Sequence, residues 1–425
     1  MVGMTDLDAL VGDLDRRLAE ADAVLTTRYP GDRGVRQPVH TVYVPGDRFS
    51  VRTVDEWGSQ AKAALEAHGG TAAQLASALG QSAPAGASEP QRELVYERVR
   101  AKLDDEPIED LRIDFEDGYG TRSDEEEDAA AVAAARALAE TVKAGVAPPY
   151  HGLRIKSLEA PTRRRGVRTL DHFVGELAAA DALTPGFVIT LAKVTSVEQI
   201  DAMVVVLDAV ERARSLPKLG FEIQIETPQS ILGPDGTALI PRMITAGAGR
   251  VTGLHYGTYD YSASLGVAAA YQSMEHPVAD HAKNVMQLSA AGTGVHISDG
   301  STNVLPVGDR AAVHAAWRLH ARLVRRSLER GIYQGWDMHP AQLPTRYAAT
   351  YTFYREGLDS AATRLRAYTG NGDSGYLDEP ATATALAAYL LRAADCAATT
   401  LPELEKLTGL DESALAKLAK RPVRS

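Results

Sequence analysis

Two carboxylate residues, Glu222 and Glu226, alternate with apolar residues in the segment FEIQIETP at 221–228. In an extended strand successive side chains point to opposite faces, so Glu222, Gln224 and Glu226 share one face. That face is either the solvent side of an edge strand or part of a polar interior. An interior carboxylate needs a cation, and oxygen ligands of this type suit Mg²⁺ or Mn²⁺.

Further polar residues stand at or just after the ends of other β-rich segments. They are Asp114, Glu116, Asp117, Arg154, Lys156, Lys193, Asp260 and His339. If the strands are parallel and close into a barrel, their carboxyl ends meet at one mouth, where active sites of such barrels lie. Glu226 and Asp260 are then the predicted metal ligands, with water and substrate oxygens completing the coordination.

Eight β-rich segments alternate with helical patterns along the chain. They lie at 40–46, 111–118, 151–159, 186–194, 221–228, 251–261, 292–298 and 333–340. Capping boxes that begin at Thr53, Ser123 and Thr195 mark helix starts between them. The alternation predicts a (β/α)8 TIM barrel. An open doubly wound sheet is less favoured, because no glycine-rich phosphate loop follows the first segment.

The barrel is predicted to span residues 36–345, with an added N-terminal helical extension at 1–35 and a C-terminal helical region at 346–425. The Ala/Gly/Ser/Pro-rich stretch at 80–94 is predicted to be a mobile loop before a helix. The C-terminal region carries an apolar stripe that includes Leu386 and Leu390 at helical spacing. Such a stripe needs a partner surface, so we expect this region to cover a barrel mouth or to join subunits of a homo-oligomer.

Composition narrows the class of protein. The 425 residues carry a formal net charge of −11 that is spread along the chain, which argues against a nucleic-acid or anionic-membrane partner. The first 25 residues are acidic and helically periodic, unlike an export signal, and no apolar run reaches membrane-spanning length. The one cysteine, Cys396, is expected in the core. A cytoplasmic enzyme or binding protein is therefore predicted.

Seven motifs follow one another in an order that resembles a known superfamily. They are YVPGDR at 43–48, IDFEDG at 113–118, LRIKSLE at 153–159, AKVTSVEQI at 192–200, IETPQSIL at 225–232, YGTYDYSASLG at 256–266 and GWDMHPAQLP at 335–344. The order is similar to that of the citrate lyase β-subunit and malyl-CoA lyase superfamily of 2-oxo-acid aldolases (the HpcH/HpaI aldolase/citrate lyase type). The resemblance covers roughly residues 40 to 345.

The resemblance implies a Mg²⁺-dependent barrel, with Mn²⁺ as a substitute, that makes or breaks a carbon–carbon bond next to a 2-oxo acid such as glyoxylate, pyruvate or oxaloacetate. An acyl-CoA is the second partner in many members, and homo-oligomers are common. Carried to this chain, the resemblance implies the following roles: Glu226 and Asp260 as metal ligands, Arg154 as the holder of the substrate carboxylate, Glu116 and Asp117 as the acidic pair near the metal, and Pro228, Gly257 and Thr258 as substrate contacts.

Other interpretations stay open at this point. The segment GVHISDGSTNVLPVGD at 294–309 also resembles malate synthase, which condenses glyoxylate with acetyl-CoA. Lys193 could form a Schiff base in a metal-free aldolase. Arg154 could instead form a structural ion pair with Asp114 or Glu116, and His339 is either an acid/base catalyst or a packed loop residue. A phosphoenolpyruvate-handling phosphotransferase and a non-catalytic binding protein are less favoured.

Overall fold

The computed structural model describes residues 7–80, 88–370, 375–376 and 378–423. Its strands are β1 (His40–Pro45), β2 (Asp110–Asp114), β3 (Tyr150–Ile155), β4 (Phe187–Leu191), β5 (Gly220–Ile225), β6 (Val251–Tyr256), β7 (His296–Ser298) and β8 (Gly335–Asp337). They form one parallel sheet in the order β7-β6-β5-β4-β3-β2-β1-β8. A parallel bridge between Ser298 and Gln334 joins its two edges. The predicted (β/α)8 barrel is confirmed.

At least one helix follows each strand, one helix precedes the first strand, and further helices end the chain. They are α1 (Leu7–Arg28), α2 (Thr53–Gly69), α3 (Ala72–Leu79), α4 (Glu89–Asp105), α5 (Asp124–Lys143), α6 (Arg163–Ala179), α7 (Val197–Arg214), α8 (Pro228–Ile231), α9 (Ile240–Ala246), α10 (Thr258–Ser264), α11 (Pro277–Ala290), α12 (Arg310–Glu329), α13 (Leu343–Tyr368), α14 (Pro380–Asp395), α15 (Leu401–Thr408) and α16 (Glu412–Leu418). Within the described ranges, none of these helices is long and apolar enough to cross a membrane.

The strands turn polar side chains to the barrel interior and apolar side chains to the helices. Glu222 of β5 bonds Arg112 of β2, and Gln224 of β5 bonds Arg154 of β3. Neither β2 nor β3 is a neighbour of β5 in the sheet, so these contacts cross the interior. The polar half of FEIQIETP therefore faces the inside of the barrel, and the edge-strand interpretation is wrong.

An ion-pair network on the outer side of the barrel connects β8 to helices α12 and α13. Asp337 accepts from His320 of α12 at 2.9 Å and from Arg346 of α13 at 2.8 Å, and it contacts His40 of β1 at 2.8 Å. Burial alone would raise the pKa of Asp337, but Arg346 and the two histidines hold it well below its usual range. Asp337, the aspartate of the GWDMHP motif, thus points to the surrounding helices and not to the mouth, and it holds β8 in place.

Part of the insertion at 80–94 is helical. Residues 81–87 lie outside the described residues, but Ser88 caps α4, which begins at Glu89. The second half of the stretch is therefore helical, because Ser88 and Gln91 form a capping box that satisfies backbone donors at the helix start. The prediction of a mobile loop up to residue 94 is wrong for that half.

The C-terminal helices pack at the amino-terminal end of the barrel. The Arg392 guanidinium lies 4.4 Å from the ring centre of Tyr333, which precedes β8. Arg421 donates to the backbone oxygen of Val35, ahead of β1, at 3.1 Å. The expectation that this region covers the mouth of its own barrel is not met, because the contacts of Arg392 and Arg421 hold its last helices at the opposite end. A role in joining subunits stays a prediction, and residues 371–374 of its predicted hinge are outside the described residues.

Candidate active site

The Lys193 ammonium lies among four carboxylates at the carboxyl end of the barrel. Its Nζ is 2.8 Å from Asp117 Oδ2, 2.8 Å from Asp260 Oδ2, 3.7 Å from Glu116 Oε1 and 3.8 Å from Glu226 Oε2. Lys193 has a left-handed backbone with φ of 52° in the turn after β4. Loops after β2, β4, β5 and β6 thus converge on one point, as the barrel rule predicts.

Glu226 is the most buried of these carboxylates, at 1% exposure. Its Oε1 accepts from the Lys193 backbone nitrogen at 2.7 Å, whereas its Oε2 is buried and has no hydrogen-bond partner among the described residues. Burial raises the pKa of Glu226 to about 8, although Lys193 opposes the shift. A Cβ on Gly257 would overlap the Glu226 side chain, so glycine there allows the turn after β6 to close on it.

Glu116 and Asp117, the predicted acidic pair, are neighbours with different exposure, and their role beside a metal stays a prediction. Burial raises the pKa of Glu116 to about 7, while Arg154 and Lys193 oppose the shift. Asp117 is 58% exposed at its side chain. Its partial burial would raise its pKa, but the hydrogen bond and the charge of Lys193, together with the charge of Arg154, outweigh burial and lower the pKa.

Arg154 forms a two-bond ion pair with Asp114 in this structure. Its Nε and Nη2 donate to the two Asp114 oxygens at 2.7 and 2.6 Å, and its Nη1 donates to Gln224 at 3.2 Å. Asp114 also accepts from the backbone nitrogens of Glu116 at 2.9 Å and Gly118 at 2.9 Å. The ion pair therefore shapes the turn that carries Glu116. This is the structural alternative; the predicted contact of Arg154 with a substrate carboxylate stays a prediction.

An aromatic pair beside Arg154 escaped the sequence prediction. The rings of Tyr43 and Trp336 are 4.6 Å apart, and the Arg154 guanidinium lies 4.7 Å from the Tyr43 ring centre. Trp336 Nε1 is a buried donor without a hydrogen-bond acceptor among the described residues. Tyr43 and Trp336 occupy positions of β1 and β8 whose side chains point into the barrel. The alternation of side chains along each strand could therefore have identified both residues from the sequence.

The remaining predicted residues have identifiable local contacts. His339 Nδ1 accepts from the Ala341 backbone nitrogen at 3.1 Å and so caps a short 3-10 turn, and burial lowers its pKa. Pro228 begins α8. Thr258 is buried and accepts from the Ser301 backbone nitrogen at 3.3 Å. These contacts hold the loops of the mouth in place, and the catalytic and substrate roles of the three residues stay predictions.

Deeper in the barrel, buried charges are compensated. Glu222 accepts from Arg112 Nη2 at 2.8 Å and lies 2.9 Å from His255 Nε2. Burial would raise the pKa of Glu222, but Arg112 and His255 hold it well below its usual range. Glu226, four residues along the same chain segment, lacks such a fixed pair of partners. The carboxylates at the mouth are therefore less fully paired than those of this deeper layer.

The donors at the mouth suit a divalent metal in chemical type, and Glu226 Oε2 with Asp260 Oδ2, the latter now paired with Lys193, are the oxygens that could hold it. Within the described ranges, no group of three or more His, Cys, Asp or Glu side chains is arranged to bind a metal ion. The Lys193 ammonium lies between these carboxylates, 2.8 Å from both Asp117 Oδ2 and Asp260 Oδ2.

A family model described as "Domain of unknown function (DUF6986)" matches residues 18–423. A search of curated protein sequences finds no match to this chain. Among solved structures, a citrate lyase from Burkholderia xenovorans LB400 has a TM-score of 0.56 and 18% identity, with 88% of this chain and 97% of that chain covered. The resemblance predicted from the motifs is thus confirmed at the level of the fold.

Two other similar structures have lower scores. CitE from Mycobacterium tuberculosis, in complex with magnesium, acetoacetate and coenzyme A, has a TM-score of 0.49 and 16% identity, covering 84% of this chain and 98% of that chain. A Haloferax volcanii malate synthase in a magnesium and glyoxylate complex has a TM-score of 0.48 and 13% identity, covering 73% of this chain and 75% of that chain.

Proposed function

The chain belongs to the DUF6986 family, and we propose that it is a Mg²⁺-dependent carbon–carbon lyase or aldolase that acts on a 2-oxo acid. One observation carries the proposal: four carboxylates converge at the barrel mouth, and the most buried of them, Glu226, has an oxygen without a hydrogen-bond partner among the described residues. Such an oxygen is costly in the charged carboxylate unless a cation joins it. The fold shared with a citrate lyase supports the same class of scaffold.

In this proposal Glu226 and Asp260 hold the cation, with Mn²⁺ as a substitute for Mg²⁺. When bound, the cation supplies positive charge beside the oxygen on which an enolate's charge collects. Glu116 and Asp117 hold the Lys193 ammonium at the rim, so that positive charge is present at the mouth before substrate enters. The Asp114–Arg154 pair keeps the turn after β2 rigid.

The substrate carboxylate is assigned to the side of the mouth where Arg154 lies. Trp336 Nε1, next to Arg154, is a buried donor whose acceptor a bound carboxylate oxygen would supply. The guanidinium attracts an anion, and the aromatic pair gives that wall of the site a fixed shape. A small acid with a keto group matches this combination of one anion-binding wall and one cation-binding cluster.

A Schiff-base mechanism at Lys193 is disfavoured by its surroundings. Imine formation needs a neutral amine, but two carboxylate oxygens lie 2.8 Å from the Lys193 Nζ. Burial would lower the pKa of Lys193, yet Glu226 and Glu116 together with these two contacts raise it above its usual value. The lysine is therefore kept charged, and we assign it an electrostatic role.

The test incubates purified protein with glyoxylate, pyruvate or oxaloacetate, with and without acetyl-CoA, and follows products by NMR. We expect turnover that needs Mg²⁺ or Mn²⁺ and stops with excess chelator. Glu226→Gln and Asp260→Asn should both abolish it, while Asp201→Asn, an exposed carboxylate on α7, should not. Full turnover in chelator would contradict the proposal, and borohydride-dependent inactivation with substrate would point to a Schiff base instead.

The same incubation separates the alternative function. A malate-synthase-like acyltransferase would condense acetyl-CoA with glyoxylate and release free thiol, whereas a lyase keeps the thioester intact. Steady thiol release with glyoxylate would therefore assign the acyltransferase, and its absence together with carbon–carbon cleavage would assign the lyase.

A further inference from the structure

Helix α1 presents an unusual surface, because none of its residues is buried. Its apolar side chains are between 43% and 67% exposed, namely Leu7, Leu10, Val11, Leu14, Leu18, Val24 and Leu25. A 22-residue amphipathic helix gains most of its stability from burying its apolar face. An exposed stripe along its whole length therefore indicates an interaction surface.

The spacing of the stripe indicates what kind of helix it fits. The inner positions are Leu7, Val11, Leu14, Leu18, Ala21 and Leu25, which are alternately four and three residues apart. This is a period of about 3.5 residues, which keeps a seam on one side of a supercoiled helix and is the signature of a coiled coil. In heptad terms, Val11, Leu18 and Leu25 occupy a positions, and Leu7, Leu14 and Ala21 occupy d positions.

We propose that α1 forms a parallel two-helix coiled coil with α1 of a second copy of this chain. The charges flanking the seam favour this arrangement. Asp8, Asp15 and Asp22 occupy e positions, and Arg17 occupies a g position. A parallel pair places Arg17 of one copy beside Asp22 of the other, whereas an antiparallel pair would place aspartate against aspartate.

The polar face and the helix exit argue against other occupants. Helix α1 carries five acidic and three basic residues, so it does not suit an anionic membrane, which selects a basic polar face. The chain after the helix is held to the barrel, because Gly31 donates to the Gly292 oxygen at 2.8 Å and Arg33 to the Val251 oxygen at 2.8 Å. These contacts fix the base of α1 and leave its seam open to a second copy.

The intrahelical contact of Arg17 is compatible with the pairing. Arg17 Nε donates to Asp13 Oδ2 at 2.6 Å within α1. A guanidinium has five N–H groups, so its two terminal nitrogens are available to reach Asp22 of the second copy. The proposal concerns association only and does not depend on the proposed catalytic activity.

The test measures the dimer dissociation constant of the full chain by analytical ultracentrifugation. Leu14→Asp with Leu18→Asp should weaken the dimer on the order of 100-fold or more, because buried leucines would be lost from both copies. Ala19→Asp with Ala23→Asp, on the outer face, adds the same charges and should leave the constant nearly unchanged. Arg17→Asp should weaken the dimer several-fold, and Arg17→Asp combined with Asp22→Arg should restore it.

Cross-linking tests the orientation. In a parallel pair Leu14 lies opposite its own mate, so Leu14→Cys should form an intersubunit disulfide on mild oxidation, whereas Ala23→Cys should not. Cys396 is buried and serves as the unreactive background. A monomeric wild-type chain, or a dimer that the Leu14 and Leu18 changes do not weaken, would overturn the proposal. A weakened dimer without the Leu14→Cys disulfide would also overturn it and would assign α1 to another surface.

Discussion

Replacing Lys193 by methionine should tighten the binding of Mg²⁺ or Mn²⁺. The Lys193 ammonium lies 2.8 Å from Asp260 Oδ2 and 3.8 Å from Glu226 Oε2, the oxygens proposed to hold the metal. Lysine and a divalent ion therefore compete for the same space. Methionine has a similar length and no charge, so Lys193→Met removes the competitor and keeps most of the packing.

The size of the effect follows from the contacts that a metal must displace. The two close pairs are with Asp117 and Asp260, whose side chains are 58% and 45% exposed. Ion pairs this open to solvent each contribute about 0.2–1 kcal/mol. Displacing both thus costs roughly 0.4–2 kcal/mol, which corresponds to about a 2- to 30-fold change in the dissociation constant.

The assay titrates Mn²⁺ into metal-free protein and counts free ion by electron paramagnetic resonance, so it does not depend on turnover. Lys218→Met is the matched control, because Lys218 donates to the Ala248 oxygen at the opposite end of the barrel. The control should bind Mn²⁺ as the wild type does. If Lys193→Met bound Mn²⁺ with unchanged or lower affinity, the lysine would not be a competitor, and the assignment of this cluster as the metal site would lose its basis.

Three further predictions follow from the buried charges. Glu226→Gln should abolish metal-dependent turnover while the circular dichroism spectrum and oligomeric mass stay unchanged, because the carboxylate lies at the mouth and outside the apolar core. Arg154→Lys should lower 2-oxo-acid turnover roughly 10-fold. It should also lower the melting temperature, because lysine cannot make the two-bond contact with Asp114. An unchanged melting temperature would contradict the ion-pair role. Glu109 is fully buried beside Lys102, and although burial alone would raise its pKa, Lys102 and Arg36 lower it from 4.5 to about 2. A depressed carboxylate pKa stabilises the fold above the unfolded-state pKa, so the free energy of unfolding should fall as pH drops from 4.5 to about 2. Glu109→Gln should flatten that pH dependence in urea titrations and cost about 3 kcal/mol at pH 7; an equally steep dependence in the variant would refute this.

The barrel could be predicted from the sequence because each of its strands leaves a pattern within a short stretch of the chain. Each strand appears as a short run with period-2 alternation, and the barrel rule then assigns Glu226, Asp260 and Lys193 to one end without any knowledge of distances. The convergence of their loops is confirmed by the contacts of the Lys193 ammonium. The position of that ammonium in the centre was beyond the sequence, since it depends on a left-handed backbone and on one side-chain rotamer.

Contacts across the barrel were equally beyond the sequence. The pattern LRIDFEDG gives Arg112 and Asp114 the same parity but does not say that Arg112 pairs with Glu222 or that Asp114 pairs with Arg154. An arginine at an inward position has several carboxylates within reach, and only geometry selects one. The apolar stripe of the C-terminal region likewise predicts burial but not the surface that buries it.

The bond between Arg421 and Val35 has a consequence for how the chain reaches this fold. The two residues are 386 positions apart, and β1 must also wait for β8 to complete its pairing. Contacts between residues so far apart in the chain have a large entropic cost of loop closure. We therefore expect their formation to be a late and slow step of refolding. Because these contacts bring residues 35 and 421 together in space, a short linker could join those segments, and a circular permutant opened in the exposed turn at 234–237 should retain the barrel.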